Sequence, residues 1–263
     1  MKHSGQWALI LGASSGFGEA AGLALARAGY DIVGVHLDRK ATLPHVEEVM
    51  GGIRAAGRKA VFFNVNAADP ERRGEVLART KEETGEAGTV VVLLHSLAFG
   101  NLRSFIPNKP EDAITAAQMD MTLSVMAHSL VYWTQDLVFG GLMRRGARVF
   151  AMTSAGATRV LPNYGAVSAA KAALESHVRQ LAMELAPRGI TVNAIRAGVT
   201  DTPALRKIPG HDVIAGNARL RNPSGRLTTT EDVARVLVAL CRPDTDWITG
   251  TVLGVDGGED IVG

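Results

Sequence analysis

Short apolar runs alternate with longer amphipathic segments along almost the whole chain. The apolar runs are rich in valine, isoleucine and leucine, which is typical of strands buried on both faces of a parallel sheet. The segments between them repeat apolar residues every three or four positions, as helices with one buried face do. This alternation predicts a single Rossmann-type, doubly wound α/β domain over residues 1–263, with a parallel sheet of about seven strands and helices on both faces.

Glycines and prolines mark where the predicted elements begin and end. The predicted strands are Trp7–Leu11, Asp31–Leu37, Ala60–Val65, Thr89–His95, Arg148–Thr153, Ile190–Arg196 and Thr251–Val255. The predicted helices are Gly16–Ala28, Pro44–Ala56, Glu71–Thr84, two within Glu111–Met143, one that carries Tyr164 and Lys171, and Thr230–Cys241. Residues 200–226 contain three prolines and three glycines and show no clear period. We expect this segment to be an irregular, mobile lid over a substrate.

Composition narrows the class of protein. The 263 residues are 46% hydrophobic and 21% charged, which is typical of a globular domain. The net charge of +2, without a dense Lys/Arg block, argues against a nucleic-acid partner. The longest apolar run, Val90–Leu94, is too short to span a membrane, and the first residues lack the apolar core of a signal peptide, so we expect a cytoplasmic protein. One cysteine and unclustered histidines predict neither a disulfide nor a metal site.

A glycine-rich segment, Gly12-Ala-Ser-Ser-Gly16-Phe-Gly18, follows the first predicted strand. Glycine allows a tight turn and a close approach of the backbone to a ligand, and the following helix start offers N–H donors and positive potential. The spacing differs from the commoner G-x-G-x-x-G pattern. Its place between the first strand and the first helix nevertheless predicts a binding site for the pyrophosphate of a dinucleotide.

Tyr164 and Lys171 stand seven residues apart in a segment with the composition of a helix. Seven residues make almost two helical turns, so both side chains leave the same face. A nearby ammonium favours the phenolate and should lower the pKa of Tyr164. Such a pair can exchange a proton with a substrate oxygen near neutral pH. The spacing alone fits an unrelated surface pair equally well, so the surrounding motifs decide.

Four features in chain order resemble the short-chain dehydrogenase/reductase family over nearly the whole chain. They are the glycine turn, Asn66 after the third predicted strand, Asn193-Ala-Ile-Arg-Ala-Gly198 with Thr202, and the ending Thr249-Gly250 with Val255-Asp-Gly-Gly258. The resemblance implies an NAD(P)H-dependent oxidoreductase. In it, Lys171 would bind the nicotinamide ribose and Tyr164 would donate to the substrate.

Three departures from the general family pattern resemble one branch, the enoyl-[acyl-carrier-protein] reductases. Six residues separate Tyr164 and Lys171 where most members have three, His95-Ser-Leu-Ala98 replaces Asn-Asn-Ala-Gly, and Ala151 stands where the usual catalytic serine would be. Ser154, ten residues before Tyr164, is similar to the Bacillus-type NADPH-dependent subgroup. The branch implies reduction of the C=C bond of an enoyl thioester, on acyl carrier protein or CoA, in fatty-acid synthesis. It also implies a homo-oligomer, expected to be a tetramer.

The chemistry of that branch fits the residues present. Hydride addition to the β-carbon of an enoyl thioester places negative charge on the thioester oxygen, which needs a positioned donor such as Tyr164. Loss of the usual serine argues against ketone or alcohol chemistry, although Thr153 or Ser154 could partly replace it. Action on a ketone or alcohol therefore stays an alternative. A sensor or scaffold that binds the cofactor without catalysis is a second one, disfavoured by the presence of Tyr164 and Lys171.

Cofactor preference depends on the end of the second predicted strand. By alignment with the family, His36 occupies the place of the usual selecting acid. Asp38 follows twenty residues after Gly18, the distance at which an acid often binds the ribose 2′-hydroxyl of NAD. Arg39 and Lys40 come next and could hold a 2′-phosphate; the alternative is a solvated charged turn. We expect NADPH to be preferred, with NADH possible.

The expected site residues lie after the first, second, third, fourth and sixth predicted strands and on the Tyr164 helix. The expected cofactor contacts are Gly12, Ser14, Ser15, Gly16, Phe17, Gly18, His36, Asp38, Arg39, Asn66, Ser96, Leu97, Ala98, Lys171, Gly198, Val199 and Thr202. The expected catalytic residues are Tyr164, Lys171 and Ser154.

Overall fold

A parallel sheet organises the computed structural model, which describes residues 5–85 and 89–262. Within these residues seven parallel strands form one sheet in the order β3-β2-β1-β4-β5-β6-β7. They are β1 (Gln6–Leu11), β2 (Asp31–His36), β3 (Ala60–Asn64), β4 (Thr89–His95), β5 (Arg148–Thr153), β6 (Thr191–Ala197) and β7 (Val252–Val255). The strand order reverses between β1 and β4, as in a doubly wound Rossmann domain, where ligands bind beyond the carboxyl ends of the strands. The predicted fold class is confirmed.

Helices cover both faces of the sheet. They are α1 (Gly16–Ala28), α2 (Leu43–Ala55), α3 (Pro70–Thr84), α4 (Ala116–Leu123), α5 (Ser129–Phe139), α6 (Gly165–Leu185), α7 (His211–Arg221) and α8 (Thr230–Leu240). Apolar residues of α1, α2 and α8 pack on one face of the sheet. Those of α3, α5 and α6 pack on the other. The two resulting cores make the central strands rigid supports for the loops that follow them.

Local sequence signals explain where several helices begin. Asp69 accepts hydrogen bonds from the backbone N–H groups of Glu71 and Arg72 and so caps α3, whose first residue is a proline. Thr115 with Gln118 and Thr229 with Asp232 form capping boxes that start α4 and α8. The predicted bounds of most elements agree with the structure to within one or two residues because these caps and the terminal glycines fix them.

The structure refines one sequence-based expectation about elements and corrects another. The region Glu111–Met143 contains the two predicted helices, and they are continuous. Helix α4 continues through a π-helical turn, Ser124–His128, directly into α5, which ends before Gly140. Residues 200–226 are not wholly irregular, since they contain α7. Ala218 is the buried residue of α7, so the helix has almost no apolar face for a periodicity argument to detect.

In the part of the chain that the structure describes, no helix combines the length and the apolar character needed to cross a bilayer.

Candidate active site

Consecutive residues at the end of β5 hold helix α6 in place. The carbonyl of Met152 accepts a hydrogen bond of 2.6 Å from Nζ of Lys171. The hydroxyl of Thr153 donates a hydrogen bond of 2.7 Å to Oε1 of Glu175, one turn further along α6. Both contacts come from the same helical face, because residues four apart lie one above the other. The end of β5 therefore fixes both the position of α6 along its axis and its rotation about that axis.

Ser154 continues this arrangement beyond the strand. Its hydroxyl lies near the phenol of Tyr164, the residue directly before α6, and lowers the pKa of that phenol. The ring of Tyr164 lies against Gly156, where an added Cβ would come within 2.5 Å of Cε1 of the ring. A side chain at position 156 would therefore displace the ring. The structure thus brings the three residues expected to be catalytic, Tyr164, Lys171 and Ser154, to the end of β5 and the first two turns of α6.

Tyr164 is a neutral phenol in this structure. Burial raises its pKa, and the nearby Ser154 hydroxyl offsets only part of that rise. The lowered pKa predicted from the two-turn spacing is therefore wrong, because the loss of hydration penalises the phenolate more than its neighbours favour it. A phenol that keeps its proton is suited to donate a hydrogen bond to a substrate oxygen.

Lys171 is an ammonium group inside the protein, with 5% of its surface exposed. Burial lowers its pKa from 10.5 to about 8, and the charge of Glu175 opposes that change. The Met152 carbonyl uses one of its three N–H donors. The remaining donors are available for hydroxyl groups such as those of a ribose.

His95, the last residue of β4, is fully buried behind Lys171. Its Nε2 lies 2.8 Å from the hydroxyl of Ser129, and that hydroxyl donates to the carbonyl of Val125 in the π-helical turn. Burial and the nearby charge of Lys171 lower the pKa of His95 to about 3, so the ring is neutral.

Residues 5–85 and 89–262 contain no group of three His, Cys, Asp or Glu side chains that could hold a metal ion.

The glycine turn has the shape that a pyrophosphate requires. Gly12 has a φ of 86°, and an added Cβ there would lie 2.5 Å from the carbonyl oxygen of Ser96. A Cβ on Gly18 would overlap the carbonyl of Gly12. Ser15 precedes α1 without capping it through its side chain, so the first N–H groups of the helix point to the space beyond the turn. These residues fit the pyrophosphate of a dinucleotide cofactor.

The loop after β6 lies beside the same turn. An added Cβ on Gly16 would lie 3.5 Å from Cγ2 of Thr202. Gly198 packs so closely on the backbone of Asp256 that a Cβ would come within 3.0 Å. The backbone N–H of Val199 donates to Glu259 at 2.9 Å. The ends of β1, β4 and β6 therefore meet, as the expected cofactor contacts on them require.

Asp38 accepts several hydrogen bonds at the adenosine end of the expected site. Its oxygens lie 2.7 Å from the Thr42 hydroxyl and 2.9 Å from Nδ1 of His36. Burial raises the pKa of Asp38, but hydrogen bonds from Ser14, Thr42 and His36 outweigh that effect and hold it below its usual value. Arg39 is exposed next to it and forms no ion pair within residues 5–85 and 89–262.

Asparagines after β3 complete this end of the site. Asn64 accepts from the backbone N–H of Asp38 at 2.9 Å and donates to its carbonyl at 3.0 Å, which fixes the backbone after β2. The role of Asn64 cannot be predicted from local sequence, since its partner lies 26 residues away. Asn66, the predicted adenine-side residue, is exposed, and its side-chain oxygen accepts from the N–H of Ala68. Within residues 5–85 and 89–262 its amide N–H groups form no hydrogen bond, so they can face a ligand.

Two acidic residues after β7 bind both walls of the site entrance. The carboxylate of Asp260 forms two salt bridges. Its Oδ1 lies 2.7 Å from Nη2 of Arg159, in the segment between β5 and α6, and its Oδ2 lies 2.9 Å from Nη2 of Arg196, on β6. We call this arrangement of Asp260, Arg159 and Arg196 the C-terminal clamp. Glu259 is buried and binds the loop after β6 through the N–H of Val199. Sequence reasoning missed the clamp because its partners are distant in the chain.

Comparison with known proteins agrees with this geometry. The family described as Enoyl-(Acyl carrier protein) reductase matches residues 12–259, which include every strand from the glycine turn onward. The chain belongs to the short-chain dehydrogenase/reductase family, close to its enoyl-[acyl-carrier-protein] reductases. It is therefore an oxidoreductase that uses a nicotinamide cofactor.

Individual relatives show the range within the family. The chain is 31% identical over 260 residues to 1-cyclohexenylcarbonyl-CoA reductase of Streptomyces collinus, covering 98% of this chain and 88% of that protein. The crystal structure of enoyl-[acyl-carrier-protein] reductase (NADH) from Aquifex aeolicus superimposes with a TM-score of 0.85 at 27% identity, covering 98% of each chain. A short-chain dehydrogenase from Burkholderia cenocepacia, in complex with NADP, gives 0.83 at 29% identity, covering 99% of this chain and 100% of the other.

Proposed function

We propose that this oxidoreductase reduces the C=C bond of an enoyl thioester carried by acyl carrier protein or CoA, with NADPH as the preferred cofactor. The observation that carries the proposal is the neutral, partly buried phenol of Tyr164 at the start of the helix that carries the buried ammonium of Lys171. The relatives named for a cyclohexenylcarbonyl-CoA and for an enoyl-acyl carrier protein support it, since both names describe unsaturated acyl thioesters.

The side chains divide the chemistry between them. A bound nicotinamide would supply a hydride to the β-carbon of the C=C bond. The resulting enolate is protonated by the Tyr164 phenol and tautomerises to the saturated thioester, and solvent returns the proton to the phenol. Tyr164 donates a hydrogen bond to the thioester oxygen, where negative charge collects, and its raised pKa keeps the proton in place until then. Lys171 donates to the ribose and places its positive charge near the phenol. Burial of Lys171 and partial burial of Tyr164 limit the water that would weaken these interactions.

Apolar side chains around the entrance fit an acyl chain. Phe105 lies over the start of α6, so close that an added Cβ on Gly165 would come within 2.5 Å of its ring. Phe99 and Val160 are exposed apolar side chains in the segments that follow β4 and β5 at the carboxyl edge of the sheet. Exposed apolar residues gathered around a polar site are typical of a groove for an apolar ligand.

One observation favours a second candidate, reduction of a ketone. Ala151, at the expected position of the family's serine, is fully buried in β5, whereas Ser154 reaches the Tyr164 phenol. A hydroxyl beside the tyrosine could help to bind a carbonyl oxygen that becomes an alcohol. The absence of the usual serine at position 151 argues against ketone reduction. Ser154 argues for it, because its hydroxyl could take over the role of that serine.

The charges after β2 support NADPH. The carboxylate of Asp38 is already engaged by Ser14, Thr42 and His36, which leaves few acceptor positions for ribose hydroxyls. The guanidinium of Arg39 is exposed next to it, and a free guanidinium suits a 2′-phosphate.

Parallel assays with two thioesters test the proposed function. Oxidation of NADPH and of NADH is measured with crotonyl-CoA and with acetoacetyl-CoA, each also on acyl carrier protein. We expect turnover with the crotonyl thioesters. Turnover with acetoacetyl thioesters and none with crotonyl thioesters would replace the proposal with ketone reduction.

A further inference from the structure

The ammonium of Lys171 lies where a positive charge is costly. Its side chain is 5% exposed, and burial lowers its pKa to about 8. Around neutral pH the group is close to losing its proton. An ion in such a place normally has a partner of opposite charge, because the attraction compensates for the lost hydration.

Glu175 supplies an opposite charge from one helical turn away, without a direct ion pair to Lys171 among the described residues. It follows Lys171 by one helical turn, so the two side chains leave the same face of α6. Its carboxylate is half-buried, and the Thr153 hydroxyl binds Oε1 at 2.7 Å. This contact holds the carboxylate towards the protein interior instead of the solvent. The charge of Glu175 raises the pKa of Lys171 against the effect of burial.

The other titratable groups that face Lys171 carry no compensating charge. His95, from β4, is neutral because its pKa is lowered to about 3. Tyr164, at the start of α6, is neutral because its ordinary pKa of 10.0 lies well above neutral pH and burial raises it further. The end of β5 contributes the uncharged carbonyl of Met152. Among the residues that the structure describes, Glu175 is the acid whose charge acts on Lys171.

We propose that Glu175 is a positioning residue which, with its carboxylate held by Thr153, keeps the Lys171 ammonium charged and in place for the cofactor ribose. The inference rests on the cofactor role proposed above for Lys171, and it does not depend on which acyl substrate is reduced. Glu175 touches neither cofactor nor substrate in this role, since it acts through its neighbour.

The predicted consequence is a change in pH dependence. The charge of Lys171 is present below its pKa and is lost as the pH rises through about 8. Glu175→Gln removes the charge that supports protonation, so the loss should begin at lower pH. A purely structural defect would instead weaken binding equally at every pH.

Binding of NADPH, followed by its fluorescence between pH 6.5 and 9.5, tests this inference without an acyl substrate. At pH 6.5 we expect Glu175→Gln to bind within about twofold of the wild type. At pH 8.5 it should bind roughly three- to tenfold more weakly, as a lowered Lys171 pKa requires. Glu184→Gln is the matched control, since this acid lies on the same helix but more than three turns beyond Lys171. It should follow the wild type at both pH values.

Thr153 provides an independent pair of variants if Glu175→Gln does not fold. Thr153→Val removes the hydroxyl that holds Glu175 and should weaken binding selectively at pH 8.5, whereas Thr153→Ser should restore it. Identical pH profiles for wild type, Glu175→Gln and Thr153→Val would overturn the inference. Selective loss at pH 8.5 in a protein that reduces no crotonyl thioester would leave it standing and refute the proposed function instead.

Discussion

Tyr164 keeps its proton in a partly buried position near Ser154, and this determines the expected effect of removing its hydroxyl. Tyr164→Phe preserves the ring against Gly156 but removes the donor to the substrate oxygen. We expect turnover to fall about 10²-fold or more, as when one oxyanion donor is deleted, with NADPH affinity near that of the wild type. Steady-state oxidation of NADPH and a binding titration measure the two quantities. Wild-type turnover would show that another group donates the proton.

The buried ammonium of Lys171 serves the proposed function but lowers the stability of the folded protein. Its folded pKa, about 8, is below the 10.5 of the free side chain, so burying the ammonium costs free energy below pH 8. Lys171→Met should therefore raise the free energy of unfolding at pH 7 by roughly 1–3 kcal/mol, after the lost hydrogen bond to Met152 is counted, while abolishing turnover.

The stability difference between the wild type and Lys171→Met should depend on pH. As the pH rises from 8 to 10.5, the unfolded chain binds more protons at Lys171 than the folded protein, so the wild type gains stability over that window. The difference between wild type and Lys171→Met should then shrink. Urea unfolding at pH 7 and pH 10 tests this, and a constant difference would contradict the buried-charge explanation.

At the scale of elements, the connection from β2 to α2 determines the choice of cofactor. Arg39→Ala should weaken NADPH binding about ten- to a hundredfold and spare NADH, since one charge-assisted hydrogen bond is worth about 1.5–3 kcal/mol. Asp38→Ala should weaken NADH and spare or improve NADPH. Titration of both cofactors into both variants decides between the two residues. An unchanged NADPH/NADH ratio in Arg39→Ala would remove the support for NADPH.

Helix α7 belongs to the segment expected to be a lid. Its residues are mostly exposed and Ala218 is its buried residue, so few contacts hold it to the sheet. We expect slower hydrogen exchange in residues 200–226 when NADPH and an unreactive acyl thioester are added together. Helix α8, packed in the core, serves as the internal control. Equal exchange of α7 with and without the ligands would argue against a lid.

The elements also show how far sequence reasoning reaches. Strands and most helices could be predicted because their burial period and caps are local signals, as at Asp69 and Thr229. Helix α7 could not be predicted, because an exposed helix has no periodic pattern of apolar residues. The spacing of Tyr164 and Lys171 predicts the wrong direction for the pKa of Tyr164, since it reveals a lysine on the same helix face but not the degree of burial. Glu175 could have been found from its i+4 spacing to Lys171, whereas Asn64 and Asp260 depend on contacts between distant segments.

At the scale of the whole molecule, the sheet brings the site together. The turn after β1, His95 on β4, the end of β5 and the loop after β6 all lie at one edge, because parallel strands share their carboxyl ends. Family members with different substrates can keep this edge and vary the loops around it. The fold and the cofactor turn therefore follow from the sequence more directly than the identity of the acyl group.

The C-terminal clamp has a consequence for the solution around the protein. Asp260 and both of its arginines are partly exposed, so dissolved ions reach these pairs and screen them. We expect hydrogen exchange in residues 155–163 to quicken between 0.02 M and 0.5 M NaCl, while Asp260→Asn is fast at both salt concentrations. Asp244→Asn, which breaks the exposed pair with Arg242, is the matched control and should respond as the wild type does. A salt response that persists in Asp260→Asn would contradict a role for the C-terminal clamp. If the response is lost in that variant, ionic strength controls how firmly the clamp joins the segment before α6 to β6.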